Sequence, residues 1–243
     1  MADKIKLLIT AGPTREALDP VRFITNRSSG KMGYALAAAA VEKGFSVILV
    51  SGPVDSAVVP PEGLAEFVPV VSAAEMADAV KSRFPAMDAA ILCAAVADYR
   101  PKIVEANKIK KKEGEFVLEL ERTEDILFAL GQMKTPVQRL IGFAAETENL
   151  AENALGKLKK KNLDWIAANQ VGLPGQGFQS DRNEITLYSA KGETIPLPLT
   201  EKKLLAKQML DVIFQKIPFC TFSAISVCNS SSVKSPLMPP PSS

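Results

Sequence analysis

The sequence predicts an α/β protein built on a mainly parallel sheet, with helices on both faces and added β-hairpins in its second half. Short apolar runs alternate with longer helical patterns along residues 5–168. This alternation is typical of parallel strands joined by crossover helices. The apolar runs lack the polar alternation of a half-exposed sheet, so burial on both faces is expected.

Six apolar runs supply the strands of this sheet. They are predicted over residues 5–10, 46–51, 65–70, 89–94, 139–144 and 164–168. Gly-Pro pairs end the first two runs, because glycine favours a turn and proline cannot donate to a ladder. The fourth run is almost wholly apolar, which is typical of a strand buried on both faces.

Five segments of helical pattern separate and follow these strands. They are predicted over residues 29–43, 73–84, 124–133, 149–161 and 200–216. The first is rich in Ala and ends at Gly44, and the second ends at Pro85. The last is amphipathic.

The second half adds two turn signals, Glu113-Gly114 and Lys191-Gly192, each between two strand-like runs. The predicted hairpins are 108–112 with 116–121, and 184–189 with 193–198. The stretch 169–183 is rich in Gly, Gln and Pro and is long enough to form a mobile flap.

Composition excludes several classes of protein. With 29 Lys+Arg against 27 Asp+Glu the net charge is only +2, which argues against nucleic acid or membrane as the main partner. The longest apolar run, residues 89–97, is far shorter than the ~20 residues of a spanning helix, and a cytoplasmic protein is expected. The chain contains no His, which excludes Ser-His-Asp and Cys-His catalysis and imidazole-bound zinc.

The C-terminal composition differs from the rest. Residues 218–243 hold eight Ser, five Pro and a single charged residue, without helical or strand periodicity. A disordered tail is therefore expected after one domain over residues 1–217.

A strand-to-helix segment near the N-terminus is the first candidate site. Ser28, Ser29 and Gly30 stand at the predicted start of the first helix, where free backbone N–H groups favour a phosphate or carboxylate. A serine there also serves simply as a helix cap, and both interpretations stay open.

Known nucleotide motifs are absent. Gly30-Lys31 is followed by Met32, and position 25 is Thr, so no Walker loop is present. The Gly-x-Gly-x-x-Gly fingerprint and a Tyr-x-x-x-Lys pair are also missing, which disfavours a nicotinamide oxidoreductase.

A second cluster follows the buried strand 89–94. Ala94 and Ala95 are small enough for a flat base to approach the backbone, and Asp98 could bind a base, a ribose or a hydrated metal. Ligands of open α/β sheets bind beyond the carboxyl ends of the strands. Lys108 could neutralise a phosphate, or could belong to a solvated charge run.

The third cluster combines Phe143 with Lys157 and Lys161. The two lysines are four residues apart, so they share a helix face and repel each other unless an anion lies between them. A nucleoside triphosphate would suit this arrangement, and a solvated helix end is the alternative. Phe143 is either a core residue or part of a base pocket.

Together these clusters resemble one family, the phosphopantothenate–cysteine ligases, in their bacterial, CTP-dependent and free-standing form. The resemblance covers about residues 4–216 and is carried most specifically by Asn-x-Ser-Ser-Gly-Lys-Met-Gly at 26–33 and Ala-Ala-Val-Ala-Asp-Tyr at 94–99. It implies a Rossmann-like, homodimeric fold in which the hairpins contribute to the dimer. Whether a separate phosphopantothenoylcysteine decarboxylase is a partner is left open by the sequence.

The implied reaction belongs to coenzyme A biosynthesis. It joins 4′-phosphopantothenate to cysteine through an acyl-cytidylate, with CTP and Mg²⁺, and gives 4′-phosphopantothenoylcysteine, CMP and pyrophosphate. The alternatives are a nicotinamide-binding oxidoreductase and a non-catalytic nucleotide-binding dimer.

The resemblance also implies roles for residues. Asn26 and Arg22 would bind the substrate and its acyl intermediate, and Lys108 would act on the triphosphate, with Asn26 and Lys108 as the catalytic residues. The nucleotide and its phosphates would further meet Gly12, Ser28, Ser29, Gly30, Ala94, Ala95, Asp98, Asp125, Ile126, Phe143, Lys157 and Lys161. Residues 177–183 would form the flap, Thr123-Glu124 replace the usual Asn-Pro, and no metal ligands are assigned.

Overall fold

An eight-stranded sheet forms the centre of the protein in a computed structural model, which describes residues 4–111, 113–170 and 180–214. Its strands are β1 (Lys6–Ala11), β4 (Ser46–Ser51), β5 (Glu66–Pro69), β6 (Ala89–Leu92), β9 (Arg139–Glu146), β10 (Trp165–Gln170), β11 (Arg182–Ser189) and β12 (Thr194–Glu201). Two short ribbons pair β2 (Arg15–Ala17) with β3 (Phe23–Thr25), and β7 (Tyr99–Pro101) with β8 (Leu120–Arg122). The helices are α1 (Lys31–Glu42), α2 (Ala73–Arg83), α3 (Ile126–Met133), α4 (Leu150–Lys160) and α5 (Lys202–Phe214).

The strand order confirms the predicted fold class. The six strands β5-β4-β1-β6-β9-β10 are parallel, and β11 and β12 extend the sheet antiparallel beyond β10. Numbered along the chain, the parallel strands follow the Rossmann order 3-2-1-4-5-6, whose direction of winding reverses between β1 and β6. The carboxyl ends of these two strands are therefore where a ligand crevice is expected.

Two apolar layers bury both faces of the sheet. Leu7 and Ile9 of β1 belong to the layer that contains α1 and α5, whereas Leu8 belongs to the layer with α2, α3 and α4. All three side chains are fully buried. Because successive side chains of a strand point to opposite faces, an unbroken apolar run is what a doubly covered strand requires.

The helix starts show which caps the sequence supplies. Ser72 accepts from the Glu75 amide at 3.2 Å, and Asp125 accepts from the Phe128 amide at 3.0 Å. The first helix differs from the prediction, because α1 begins at Lys31 and its cap is Gly30, with a φ of +76° and no side-chain cap. The Ser28 hydroxyl instead accepts from the Gly30 amide at 3.3 Å, so Ser28 and Ser29 precede the helix.

The predicted hairpin over 108–112 and 116–121 is wrong. Among the described residues, 108–111 form no strand, and Leu120–Arg122 pairs with Tyr99–Pro101 instead. The four lysines among residues 108–112 would repel one another along a short ribbon, whereas Arg100 of β7 meets the Glu121 carboxylate of β8. The second hairpin, β11 with β12, is confirmed and extends beyond its predicted ends.

The ribbon of β2 and β3 was not predicted. Its strands have three residues each, too few for a pattern of alternation, and Arg15 lies over the Phe23 ring at 4.7 Å. The central part of the predicted flap and the tail 218–243 lie outside the described residues. Within the described ranges, no helix has the length and apolarity needed to span a membrane.

Two helical glycines give a test of packing. An added Cβ at Gly131 of α3 would lie 2.1 Å from the Lys161 carbonyl oxygen, whereas none of the described atoms comes within 4 Å of one at Gly156 of α4. We expect Gly131→Ala to lower the free energy of unfolding by about 1–3 kcal/mol, as overpacking does. The matched variant Gly156→Ala is expected to raise it by about 0.5–1 kcal/mol. Urea unfolding measures both, and equal effects would contradict this packing.

Candidate functional site

A cavity of about 790 Å³ opens at the carboxyl ends of β1, β6 and β9. Its floor follows β6, its far wall is Phe143 and Ala145 of β9, and its rim comes from the start of α3 and the end of α4. Nine predicted site residues line it, namely Asn26, Ala94, Ala95, Asp98, Asp125, Ile126, Phe143, Lys157 and Lys161. The position agrees with the reversal in strand order, where open α/β sheets bind their ligands.

The floor is held by hydrogen bonds between the chain after β6 and the chain after β1. Ala94 donates to the Thr10 hydroxyl at 3.1 Å, Ala95 donates to the Gly12 carbonyl at 2.9 Å, and Ala97 donates to the Thr14 hydroxyl at 3.0 Å. Small side chains and fixed backbone together make a flat surface that a planar ring can approach.

Asn26 is tied to this floor. Its side-chain amide donates to the carbonyl oxygens of Ala95 at 3.0 Å and Val96 at 3.1 Å. The side chain is thereby oriented at the edge of the cavity before any ligand arrives. A short, fixed donor-acceptor group of this kind can position a reacting group.

Protein carboxylates meet the two lysines. Lys157 donates to Glu146 at 2.5 Å, and Lys161 lies 2.9 Å from Asp125, which also caps α3. The repulsion predicted between the lysines is therefore relieved by acids of neighbouring elements, and both ammonium groups are held at the cavity wall. A ligand phosphate would compete with these carboxylates for the same cations.

Thr123-Glu124, the pair that stands where the resembling family has Asn-Pro, also lines the cavity, and both side chains have partners. The Thr123 hydroxyl donates to the Ala97 carbonyl at 2.6 Å, and Glu124 forms an ion pair with Lys81 of α2 at 2.7 Å. The substitution therefore keeps the rim attached to the floor and to α2.

A smaller cavity of about 140 Å³ adjoins the large one and shares Ala94, Ala95, Phe143 and Ala145 with it. Its remaining walls include Ser28, Ser29 and Gly30 before α1, the first turn of α1, Cys93, Asn169, Asn183 and Lys202. The predicted residues around the helix start thus lie in this neighbouring space.

Sequence patterns did not reveal Lys202 as a site residue. It is the first residue of an amphipathic helix in a lysine-rich stretch, where lysine side chains are usually solvated. Its burial results from the packing of α5 on the sheet. Burial raises the pKa of the Cys93 thiol to about 12, while the nearby Lys202 charge acts to lower it. At neutral pH this thiol is protonated and is a poor nucleophile.

Three predicted site residues, Gly12, Arg22 and Lys108, line neither cavity as far as the described residues show. Gly12 lies behind Gly30 with a φ of +74°, and a Cβ there would meet the Gly52 carbonyl oxygen at 2.7 Å. Gly12 is therefore required by backbone conformation and close packing.

Arg22 and the backbone of Ile109, the residue after Lys108, meet at a buried carboxylate, Asp19. Arg22 donates to Asp19 at 2.6 Å and to the Ile109 carbonyl at 2.7 Å, while the Ile109 amide donates to Asp19 at 3.1 Å. Burial alone would raise the pKa of Asp19, but the amides of Val21 and Ile109 and the Arg22 guanidinium hold it well below its ordinary value. Asp19 and Arg22 thus anchor the segment that carries Lys108.

We expect Asp19→Asn to release this segment. The variant loses the carboxylate that accepts from Arg22 and from the Ile109 amide. Hydrogen exchange at Ile109 should accelerate at least tenfold at pH 7, since about 1.5–3 kcal/mol attaches to each hydrogen bond to a charged group. Unchanged exchange would contradict the anchoring role.

The same anchor has a defined pH dependence. Because the pKa of Asp19 is lower in the folded protein, its stabilising effect is present above the ordinary carboxyl range and is lost as the pH falls below it. The Ile109 amide is protected from hydrogen exchange to a degree that can be measured relative to a distant core amide. This relative protection should be constant from pH 5 to 8, because the Asp19 carboxylate is ionised in both the folded and the unfolded protein over that range.

The family described as DNA/pantothenate metabolism flavoprotein C-terminal domain matches residues 2–217. The coenzyme A biosynthesis bifunctional protein CoaBC of Bacillus subtilis (strain 168) is 53% identical over 209 residues, which are 86% of this chain and 49% of that protein. The protein of that name from Escherichia coli (strain K12) is 46% identical over 212 residues, 86% of this chain and 51% of its own.

Solved structures agree with these matches. The crystal structure of the C-terminal domain of a CoaBC protein has a TM-score of 0.73 at 49% identity and covers 86% of this chain and 93% of that one. A Cab2 mutant in complex with phosphopantothenate-cysteine has a TM-score of 0.67 at 17% identity over 87% and 85% of the two chains, a likeness of fold alone. The chain spans about half the length of the curated relatives that it matches.

Proposed function

Because the chain belongs to the DNA/pantothenate metabolism flavoprotein C-terminal domain family, we propose that it catalyses the ligase step of coenzyme A biosynthesis. The substrates are 4′-phosphopantothenate, cysteine and CTP. The observation that supports this most is the large cavity at the β1–β6 reversal, where a flat alanine floor faces two lysines and Asn26. The names of the bifunctional relatives support the pathway.

In the first half-reaction, a carboxylate oxygen of 4′-phosphopantothenate attacks the α-phosphorus of CTP. The bond from that phosphorus to the bridging oxygen breaks, pyrophosphate leaves, and an acyl-cytidylate remains. Lys157 and Lys161 stabilise the negative charge of the phosphates, as fixed cations do when charge moves during reaction. Phe143, Ala94 and Ala95 receive the base.

In the second half-reaction, the cysteine amine attacks the acyl carbon and loses a proton, and CMP leaves with the electrons of the broken bond to oxygen. Asn26 lies at the edge of the floor with its amide already oriented, so it holds the acyl group for this attack. Hydrolysis competes with amide formation, which gives exclusion of water a function.

The nucleotide would bring Mg²⁺ as its counter-ion, and the ion would supply positive charge at the phosphates. This ion prefers oxygen ligands and is bound in nucleotide sites through phosphates, waters and one or two carboxylates. In the described parts of the chain, no three metal-ligating side chains cluster, whereas Asp98 presents an exposed carboxylate to the large cavity. Asp98 would therefore suit Mg²⁺ that is carried on the triphosphate. Lys108 lines neither cavity, so it would reach the phosphates only after a movement of the segment that Asp19 anchors.

A homodimer through the two ribbons is the proposed assembly. Large apolar side chains of the ribbons and their connections are exposed, namely Val21, Phe23, Tyr99, Ile103, Val104, Phe116, Val117 and Leu120. Strands β2 and β7 contact each other, so the two ribbons lie side by side. Exposed apolar side chains that lie together mark interaction sites. The family resemblance implies a homodimer, so the proposed partner at this surface is a second molecule of the same protein.

We expect Phe116→Glu combined with Val117→Glu to weaken dimerisation at least tenfold, because two charges would be desolvated at the interface. Val59→Glu is the matched control, since Val59 is 73% exposed and belongs to the connection between β4 and β5 rather than to either ribbon. Sedimentation over a range of concentrations measures the dissociation constant. A wild-type protein that is monomeric at micromolar concentration would contradict the proposal, and so would a control that weakens it equally.

A nucleotide panel tests the ligase activity. CTP, ATP, GTP and UTP are each supplied with Mg²⁺, 4′-phosphopantothenate and cysteine, and product mass and pyrophosphate are recorded. We expect 4′-phosphopantothenoylcysteine and CMP, with CTP preferred. Lack of pyrophosphate and product with every nucleotide would refute the proposal and favour a non-catalytic nucleotide-binding dimer. Hydride transfer with a nicotinamide cofactor would support the oxidoreductase alternative.

A partner decarboxylase stays a prediction. The curated relatives are bifunctional proteins about twice the length of the matched region. Co-purification with a phosphopantothenoylcysteine decarboxylase would test the separate form.

A further inference from the structure

Thr14 is a fully buried residue behind the cavity floor, and within the described ranges it lines neither cavity. Its predecessor Pro13 bridges to Ala95 of the floor. On the other side, an added Cβ at Gly52 would lie 1.8 Å from the Pro13 carbonyl oxygen. The chain that carries Thr14 is therefore packed tightly between the floor and the end of β4, where a side chain has little freedom to move.

Hydrogen bonds of Thr14 connect the floor with the ribbon that precedes Asn26. The Thr14 amide donates to the Ala95 carbonyl at 3.3 Å, and its hydroxyl accepts from the Ala97 amide at 3.0 Å. The Thr14 carbonyl accepts from the hydroxyl of Thr25 at 2.7 Å. Thr25 is the last residue of β3 and directly precedes Asn26, so Thr14 holds both sides of the contact between Asn26 and the floor.

Thr14 and Asn26 donate to the same oxygen atom. The Ala95 carbonyl accepts from the Thr14 backbone and from the Asn26 side chain, which uses both of its lone pairs. Asn26 also donates to the Val96 carbonyl, and the next amide, that of Ala97, is the one that the Thr14 hydroxyl fixes. The positions of both acceptors of Asn26 therefore depend on Thr14.

The hydroxyl is the part of this contact that a substitution can remove. Ala97 is buried, and a buried amide that loses its acceptor costs free energy until it finds another one. Without the Thr14 hydroxyl, the segment 95–97 would move toward a new acceptor. The carbonyl groups that orient Asn26 would move with it.

The part of the floor that receives the nucleotide base is held independently. The Ala94 amide donates to the Thr10 hydroxyl at 3.1 Å, and the Ala95 amide donates to the Gly12 carbonyl at 2.9 Å. Neither bond involves the side chain of Thr14. Loss of its hydroxyl should therefore disturb Asn26 more than the nucleotide.

We propose that Thr14 is a positioning residue for capture of the acyl intermediate, because its hydroxyl fixes the backbone acceptors that orient Asn26. This inference rests on the proposed function. When Asn26 is displaced, the oxygen of water attacks the acyl carbon in place of the cysteine amine. The bond from that carbon to the phosphate oxygen breaks, CMP leaves, the water gives up its protons, and the carboxylate is regenerated. CTP is then consumed without product.

Thr14→Val is the decisive variant, since it keeps the branched shape and removes the hydroxyl. The full chain is supplied with CTP, 4′-phosphopantothenate and cysteine, and pyrophosphate and product are counted. We expect about one pyrophosphate per product in the wild type and at least tenfold more in Thr14→Val, because a misplacement of about 1 Å can cost about 10²-fold in rate. Thr14→Ser should return the ratio to within twofold of the wild type. The KM for CTP should stay within threefold.

Ser189→Ala is the matched control for loss of a buried hydroxyl. Ser189 is 3% exposed, and its hydroxyl accepts from the amides of Lys191 and Glu193 in the turn between β11 and β12. This variant should lose stability but keep the ratio of pyrophosphate to product. A ratio that rises equally in both variants would overturn the proposal. So would an unchanged ratio in Thr14→Val, or a rise in the KM for CTP without a change in the ratio.

Thr25→Val tests the same connection from the exposed side if Thr14→Val does not fold. The change removes the hydroxyl that donates to the Thr14 carbonyl, at a residue that is exposed. We expect the ratio of pyrophosphate to product to rise about threefold, which is less than in Thr14→Val because the floor keeps its own contacts. An unchanged ratio in folded Thr25→Val would contradict the connection.

A measurement without substrates separates the inference from the proposed function. Exchange of the Asn26 side-chain amide protons is followed by NMR, and the signal that is missing in Asn26→Asp identifies them. We expect at least tenfold faster exchange in Thr14→Val and little change in Ser189→Ala. This result supports the positioning role even if the wild type does not ligate. Equal exchange in the wild type and Thr14→Val would overturn the inference alone, even where ligation is observed.

Discussion

Replacement of Asn26 by Asp is expected to block amide formation while pyrophosphate release from CTP and 4′-phosphopantothenate continues. The wild-type amide donates to two carbonyl oxygens of the cavity floor. A carboxylate cannot donate and would face both oxygens with a negative charge, so the side chain must leave its place beside the acyl group. Removal of one positioned donor costs about 10²–10³ in rate, and we expect a loss of that size in product formation.

Both half-reactions are measured in the same sample, as pyrophosphate and as product mass. Asn107→Asp is the matched control, because Asn107 is exposed and lies outside the cavity. Thermal unfolding of each variant verifies that the fold is retained. An equal fall in pyrophosphate release and product would show that Asn26 acts in activation, which is contrary to the role proposed here.

Lys161→Gln is expected to raise the KM for CTP by about 10- to 100-fold. The change removes a cation from the cavity wall and leaves its partner Asp125 without that cation, so a triphosphate loses an attraction and meets a carboxylate. Hydrogen bonds to charged groups contribute about 1.5–3 kcal/mol, which corresponds to this range.

Lys160→Gln is the control for charge on the same helix, since Lys160 is exposed and is the neighbour of Lys161. Initial rates of pyrophosphate release over a range of CTP concentrations give the two KM values. If Lys161→Gln and Lys160→Gln change the KM for CTP by the same factor, CTP binding depends on the total positive charge of α4 and not on the position of Lys161. The assignment of the cavity to the nucleotide would then be wrong.

Local sequence signals predicted most of the elements but not all of them. The strand at Ser46–Ser51 has the predicted bounds, because an apolar run ends there at a Gly-Pro pair. The hairpin predicted over 108–121 was wrong, because a turn signal does not show whether the lysine-rich run before it can pair as a strand with the run after it. The partner of Leu120–Arg122 is Tyr99–Pro101, and that choice depends on contacts distant in sequence.

The residues of the candidate site were likewise predicted only in part from the sequence. Motifs identified Asn26, Asp98, Phe143 and the two lysines of α4, and the structure brings these residues to one cavity. The resemblance also carried Gly12 and Arg22 into the site, although both hold backbone in place nearby. Asn183 was named only as the end of the flap segment 177–183, and Lys202 was not singled out, because a buried lysine looks like any other lysine in a sequence.

The sequence by itself therefore determined the doubly covered parallel sheet and the residues that follow β6, whereas the class of ligand that its motifs suggest stays a prediction. These depend on periodicity and on short spacings, which a chain carries locally. Only the tertiary structure decided that Glu146 and Asp125 meet the lysines, that Asp19 anchors the segment of Lys108, and that two cavities adjoin. Charge pairing and burial depend on distances between residues far apart along the chain, and those distances exist only once the sheet and its helices have packed.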